Sequence, residues 1–279
     1  MNYKRCSDVT DHQIFEAFSG GFSDYIIKFK MDEDFFIEHF FGPEGNRRDL
    51  SWLALDGETP VGLVLGGIRP FDGLKTMRCG TMCVIPAYRN RHIATALLDK
   101  HRETAREQGC DQLFLECIEG NDKALAFYRK EGYETRHYLH YFVCKNPYDL
   151  EFASPDEELK VEKLTMDEVK KLRKDSAVHW NWQNEMEYLE YNRAELTGIR
   201  ANGRAVAALA FREERIQFLY VSQPFRGKGL ARMLVSHAAK ERDKMTVSFP
   251  DNDSLPGFYE RAGFTREPIR QQEMYRSLV

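Results

Sequence analysis

The chain has 279 residues, 42% of them hydrophobic and 30% charged, enough to bury the core of one large domain or two small ones. Its formal charge of −4 argues against a general nucleic-acid binder, which carries a basic excess. No apolar run is long enough to cross a bilayer, the opening MNYKRCSDVTDHQ holds no secretory core, and the six cysteines form no CxxC pair or zinc-type spacing. The expectation is a cytoplasmic protein with reduced thiols, no metal, and no membrane or nucleic-acid partner.

Thr10-Asp11-His12-Gln13 reads as a capping box that opens a first helix. The stretch that follows carries Phe18, Phe22, Tyr25 and Phe29, which either pack a core or line a pocket. Asp32, Glu33 and Asp34 either favour the start of a second helix or attract a cationic amine. A turn at Asp56-Gly57 precedes the β-rich VGLVLGGI, and TMRCGTMCVIP continues as strand, with Cys79 and Cys83 expected on one face of it. After the turn AYRNRH, Ile93, Ala94, Leu97, Leu98 and His101 fall at helical spacing, and Gly109 reads as the stop. QLFLECI is a short buried strand, and NDKALAFYRKEGY a helix ended by Gly132. Asn146 to Glu158, with Pro147, Pro155 and an acidic cluster, reads as a linker between domains at 1–150 and 151–279.

The same order then returns. Thr165-Met166-Asp167-Glu168 is a second capping box, and Asn202-Gly203 a second turn before AVAALAF. Between them lies a local cluster, His179-Trp180-Asn181-Trp182, with no definite chemistry. Val84 and Val221, Arg89 and Arg226, and Ala94 and Ala231 are each 137 positions apart. Leu230, Ala231, Leu234, Val235 and Ala238 repeat the helical stripe, KMTVSFP repeats the buried strand, and Gly263 repeats the helix stop. Asn121 and Asn252, Tyr128 and Tyr259, and Gly132 and Gly263 are 131 apart, so the second copy is six residues shorter between these blocks. Four blocks in one order make duplication the better account than chance. Each half reads as helix, helix, three strands, long helix, strand, helix, strand: an α+β domain with a mixed sheet.

A helix start exposes unpaired amides at the positive end of the helix dipole, a natural seat for a pyrophosphate. Arg226, Gly227, Lys228, Gly229, Leu230 and Ala231 add two cations and two glycines to such a start, and Arg89, Asn90, Arg91, His92, Ile93 and Ala94 occupy the same place in the first half.

RGKGLA resembles the pyrophosphate signature of the GNAT acyltransferases, Arg/Gln-x-x-Gly-x-Gly/Ala, and RNRHIA is similar to it at Arg89 and Ala94. His92 stands where glycine is usual; a helical residue need not be glycine, so the helix start is expected to be kept. The resemblance implies two tandem GNAT-like domains, each a mixed, mostly antiparallel sheet flanked by helices. It implies that backbone groups around Val84 and Val221 bind the pantetheine arm of acetyl-CoA between two splayed strands. By the same resemblance, Asn121 and Asn252 meet pantetheine, and the hydroxyls of Tyr128 and Tyr259 protonate the departing thiolate. Read from the residues alone, the asparagines equally cap helices and the tyrosines equally pack a core. Glu116, an acid inside LFLECI, is either a general base with a raised pKa or a carboxylate bonded to backbone; it favours the first half as the catalytic unit, although the second has the cleaner phosphate turn.

The implied reaction is acetyl transfer from acetyl-CoA to a primary amine by direct attack, on a small-molecule or peptide acceptor, by a monomer or homodimer. The alternative is an acyl-CoA-binding regulatory or scaffold protein in which one or both domains are non-catalytic.

Overall fold

In the computed structural model, which describes residues 1–27, 30–147, 159–176, 178–240, 242–252 and 254–278, both capping boxes are formed. The Gln13 amide donates to the Thr10 hydroxyl and the Thr10 amide donates to the Gln13 side chain, each at 3.2 Å. They open α1 (Asp11–Gly21), and the same reciprocal pair between Thr165 and Glu168 opens α5 (Met166–Lys174). Asp32 caps α2 (Glu33–Phe40) by accepting from the Phe35 amide at 2.8 Å, so its carboxylate is engaged at the helix start. Phe18 is buried against Phe36 and Phe40; Phe29 and most of the linker, including Pro155, lie outside the described residues.

Contacts divide the chain into two units, Met1–Arg136 with Gln272–Val279, and His137–Gln271. This division differs from one at the linker. β6 (Glu134–Lys145), the strand that ends the first repeat, lies almost wholly in unit 2, and the end of β12 (Thr265–Ser277) lies in unit 1.

Unit 1 holds β1 (Asn2–Arg5), β2 (Arg47–Asp56), β3 (Thr59–Phe71), β4 (Leu74–Val84), α3 (Ile93–Glu107), β5 (Gln112–Ile118) and α4 (Asp122–Lys130). Its sheet order is β1-β2-β3-β4-β5-β12, antiparallel throughout β1 to β4 and parallel between β4 and β5. Unit 2 adds β7 (Glu162–Lys163), α6 (Met186–Tyr191), β8 (Glu195–Ala201), β9 (Arg204–Arg212), β10 (Arg215–Val221), α7 (Leu230–Ala239), β11 (Lys244–Pro250) and α8 (Leu255–Arg261). Its order is β12-β6-β11-β10-β9-β8-β7, with β10 and β11 the parallel pair. These are α+β units with mixed, mostly antiparallel sheets. The edge strands β1 and β7 carry no alternating apolar signal, and sequence reading passes over them. The shortening of the second copy falls largely on the long helix, fifteen residues in α3 and ten in α7.

The helical stripes bury as their spacing requires: Leu97, Leu98 and His101 of α3, and Leu234, Val235 and Ala238 of α7, are buried. Cys79 and Cys83, in contrast, do not share a face. Gly66 pairs with Cys79 and Leu65 with Thr81, so Gly80 is an extra, bulged residue that reverses the alternation beyond it. Cys79 packs with Leu97 and Tyr128, whereas Cys83 packs with Ile14 and Ala17 and donates its thiol to the Ala17 carbonyl. A Cβ at Gly80 would collide with the Asn46 side chain, so the bulge is closed over from the α1–α2 face.

The two long helices start alike. His92 and Gly229, the residues before them, both adopt left-handed backbone (φ 61° and 80°), as do Asn90 and Gly227 (φ 62° and 75°). The reason expected for tolerance at His92 is therefore corrected. The residue is not helical, and glycine is usual there because the conformation burdens a Cβ; histidine and asparagine are among the residues that adopt it most readily.

Two stability predictions follow from these positions. Gly229→Ala places a Cβ in the left-handed region and costs about 1 kcal/mol, whereas in His92→Gly the relief is offset by the about 0.5–1 kcal/mol of extra chain entropy that glycine brings, leaving stability nearly unchanged. Urea unfolding of both variants checks the asymmetry. His101 is fully buried with neither ring nitrogen bonded, and burial pushes its pKa down to about 4 from 6.5. The unfolded chain therefore takes up a proton below pH 6.5 that the folded chain refuses until about pH 4, so stability falls by about 3 kcal/mol as pH drops through that window. His101→Leu removes that share of the slope; an equal slope in both proteins contradicts the assignment.

Candidate functional site

The parallel strand pairs determine where a ligand can enter. β4 and β5 pair only from Thr76–Gln112 to Arg78–Phe114, yet run on to Val84 and Ile118. β10 and β11 pair only at Arg215–Thr246 and Ile216–Val247, yet run on to Val221 and Pro250. Beyond those points the strands part, and backbone groups along the gap are left for another partner. Each gap opens beside the start of the following helix, where further unpaired amides and the positive end of the dipole lie.

The arginine that begins each turn is part of its frame. Arg89 Nε donates to the Val84 carbonyl at 3.0 Å and Arg226 Nε to the Val221 carbonyl at 2.9 Å, tying the turn to the end of its strand. Arg89 is held further by the Gly21 carbonyl and by both oxygens of Asp24, each at 2.7 Å. Arg226 has no acidic partner among the described residues and stands over the Tyr220 ring. Arg91 and Lys228 extend from their turns over Tyr88 and Phe225. Asn90, Arg91 and His92 are exposed, as are Gly227, Lys228 and Gly229, while Ile93 and Leu230 turn inward as the first buried residues of their helices, with Ala94 and Ala231 behind them.

In unit 2 the gap and the turn form one cleft of about 590 Å³. Val221, Arg226, Gly227, Gly229, Leu230, Ala231 and Asn252 all line it, so the predicted cofactor residues of the second half converge, with Lys228 beside them. Asn252 accepts from the amides of Ser254 (3.0 Å) and Leu255 (3.2 Å), so it is bonded to the approach to α8, whose N-cap position is Ser254, as well as being a wall of the cleft. Tyr259 is 2% exposed, stacked on Phe249 with ring centroids 5.4 Å apart and packed against Phe264; burial pushes its phenol up. Among the other residues that line the cleft and that sequence reading did not assign are His179, Trp180 and Asp251. Asp251 immediately precedes the recognised Asn252, and that adjacency was the available signal.

In unit 1, Asn121 caps α4 by accepting from the Ala124 amide at 3.3 Å, and its side chain also bonds Tyr25 from the α1–α2 connection. Tyr128 is buried beside Tyr133 and Cys79, and burial drives its phenol pKa upward. Its hydroxyl makes no hydrogen bond among the described residues. Glu116 does not bond backbone; it pairs with Arg78 at 2.8 Å, and Arg78 also holds Glu44 at 2.5 Å, all three side chains being 6% exposed. The environments of the two acids differ. Burial raises Glu116 despite Arg78, whereas at Glu44 the same burial is outweighed by Arg78 together with His39, and that carboxyl is held below its usual range. Arg78, a charge inside an apolar strand, was the legible sign of this cluster.

Similarity to known proteins accords with this geometry. Residues 12–133 match the acetyltransferase (GNAT) family and residues 192–266 match the acetyltransferase (GNAT) domain. No curated protein matches the chain. Among solved structures, the chain superposes on part of a fungal multi-domain GH3 β-N-acetylglucosaminidase, described as having a GCN5-related glucosamine N-acetyltransferase region, with a TM-score of 0.70 at 20% identity, covering 98% of this chain but spanning only 37% of that one. A GCN5-related N-acetyltransferase from Sphaerobacter thermophilus gives 0.68 at 13% identity, covering 99% and 95% of the two chains. A tandem GNAT protein from the clavulanic acid biosynthesis pathway gives 0.69 at 14% identity, covering 99% and 98%. These likenesses concern the fold, and the two family matches cover most of the sequence between them. With both parted-strand gaps opening at equivalent helix starts, the chain belongs to the GNAT acetyltransferase superfamily as two domains in tandem.

Proposed function

We propose that this protein transfers an acetyl group from acetyl-CoA to a primary amine. The observation that carries the reading is the unit 2 cleft, in which the parted ends of β10 and β11 lead directly to the Arg226–Ala231 helix mouth. Amides of the turn and of the first residues of α7 hold the pyrophosphate, with Lys228 and Arg226 supplying positive charge. Unpaired backbone around Val221 binds pantetheine, and an amide there polarises the thioester carbonyl as it becomes an oxyanion. The lone pair of the neutral amine forms the C–N bond, the C–S bond breaks with its electron pair leaving on sulfur, and the nitrogen sheds one proton to water. Tyr259 in unit 2 and Tyr128 in unit 1 are the candidates to protonate that thiolate. In unit 1, Val84, the Asn90–Ala94 amides and Asn121 take the corresponding places, with Glu116 the candidate base.

A second reading applies to unit 1 alone. The pairing of Glu116 with Arg78 favours a unit that holds acyl-CoA without turning it over.

Calorimetry and thiol release over a panel of amines test both readings. Lys228→Glu weakens acetyl-CoA binding about tenfold, a loss of about 1.4 kcal/mol; unchanged affinity removes the α7 mouth from the site. Tyr128→Phe lowers turnover with little change in coenzyme affinity if unit 1 is catalytic. Unchanged turnover assigns the chemistry to unit 2. Absence of thiol release with every amine, alongside retained binding, supports the binding-only reading for the whole chain.

A further inference from the structure

Asp251 lines the unit 2 cleft with its side chain 49% exposed. Its carboxylate is held in place from β6. The Tyr138 amide donates to Oδ2 at 2.9 Å, and His140 Nε2 lies 2.7 Å from Oδ1. The other ring nitrogen of His140, Nδ1, faces the Arg266 guanidinium. Arginine can only donate, so Nδ1 is the acceptor, and the proton of a neutral ring sits on Nε2, aimed at Asp251. His140 is itself 6% exposed. This chain fixes the carboxylate's orientation and leaves acceptor capacity on both oxygens.

No lysine or arginine forms a salt bridge with Asp251 among the described residues, and the ring bonded to it is His140, through Nε2. The coenzyme is a polyanion and cannot supply a cation. The first repeat has Gly120 at the corresponding place, 131 positions earlier, so the carboxylate belongs to this cleft and not to the shared framework. The same cleft has aromatic walls, where Trp180 stacks on Phe218 at 4.5 Å, His179 stacks on His137 at 4.1 Å and Phe249 also lines the space, together with Arg226, Arg232 and Arg261.

Resting on the acetyltransferase reading of this cleft, we infer that Asp251 is the amine-binding residue of unit 2. It takes the ammonium group of a cationic acceptor whose apolar portion lies along the aromatic wall, and His140 and Arg266 are positioning residues for it. The last strand of the first repeat thereby completes the acceptor site of the second.

The test uses the full chain saturated with coenzyme A, titrated calorimetrically with 2-phenylethylamine and with 2-phenylethanol, which share a shape and differ in charge. The amine is expected to bind at least tenfold more tightly than the alcohol. Asp251→Asn, which keeps an acceptor for the Tyr138 amide, is expected to abolish that preference while leaving coenzyme A affinity unchanged. His140→Phe keeps the charge but releases the carboxylate, and is expected to reduce the preference by a smaller factor. Equal binding of amine and alcohol, or a preference that survives Asp251→Asn, overturns the assignment; no effect of His140→Phe overturns the positioning role. Thiol release from acetyl-CoA is scored separately. Its absence with every amine counts against the transferase reading, while the charge preference in binding still decides Asp251.

Discussion

The function proposed for this protein rests, in each unit, on a pair of parallel strands that stop exchanging hydrogen bonds before they end. Backbone donors and acceptors cannot be buried unpaired without a cost of about 1–3 kcal/mol each, so a fold keeps such a gap only where something else can satisfy it. β4 with β5, and β10 with β11, pair over two or three residues at their beginnings and then diverge. A helix begins at the end of the first strand in each case, and places its unpaired amides at the mouth of the gap. The arginine five residues beyond each valine fastens strand to turn. In the proposed function, ligand binding is thus a property of backbone geometry, with side chains adjusting its strength.

The two copies spend equivalent positions differently. Where unit 2 has two glycines, unit 1 holds the same left-handed backbone with Asn90 and His92. Arg89 is locked to Asp24, while Arg226 has no acidic partner among the described residues. On the sheet of unit 1, Glu44, Arg78 and Glu116 form a buried ionic cluster whose removal of one member would leave an uncompensated charge. Unit 2 instead carries Asp251 at the rim of an open cleft. Duplication preserved the frame and let the polar contents diverge.

The exchange of terminal strands gives that divergence a structural route. Unit 2 takes β6 from the end of the first repeat, and with it Tyr138 and His140, the residues that orient Asp251. Unit 1 takes the end of β12, where Gln272 accepts from the Thr135 hydroxyl at 2.8 Å and the Leu278 amide donates to the Asp111 carbonyl at 2.9 Å. Neither repeat makes its compact unit from its own residues alone.

What the sequence determined is what depends on local spacing. Capping boxes act over three residues, helical stripes over one turn, and the Asn-to-Tyr interval over two turns, so the order of elements apart from the edge strands β1 and β7, the duplication and the GNAT resemblance were readable from the letters. The turns before the two long helices were readable for the same reason, although the left-handed backbone at His92 was not, because histidine does not announce it as glycine does. Tertiary structure alone decided the rest. One bulged glycine reversed the faces of Cys79 and Cys83; the strand exchange joined His140 to Asp251 across 111 positions; and Glu116 met Arg78 from a neighbouring strand. Each is set by which strand lies beside which, and strand neighbours are chosen by the packing of the whole unit, which no local interval records.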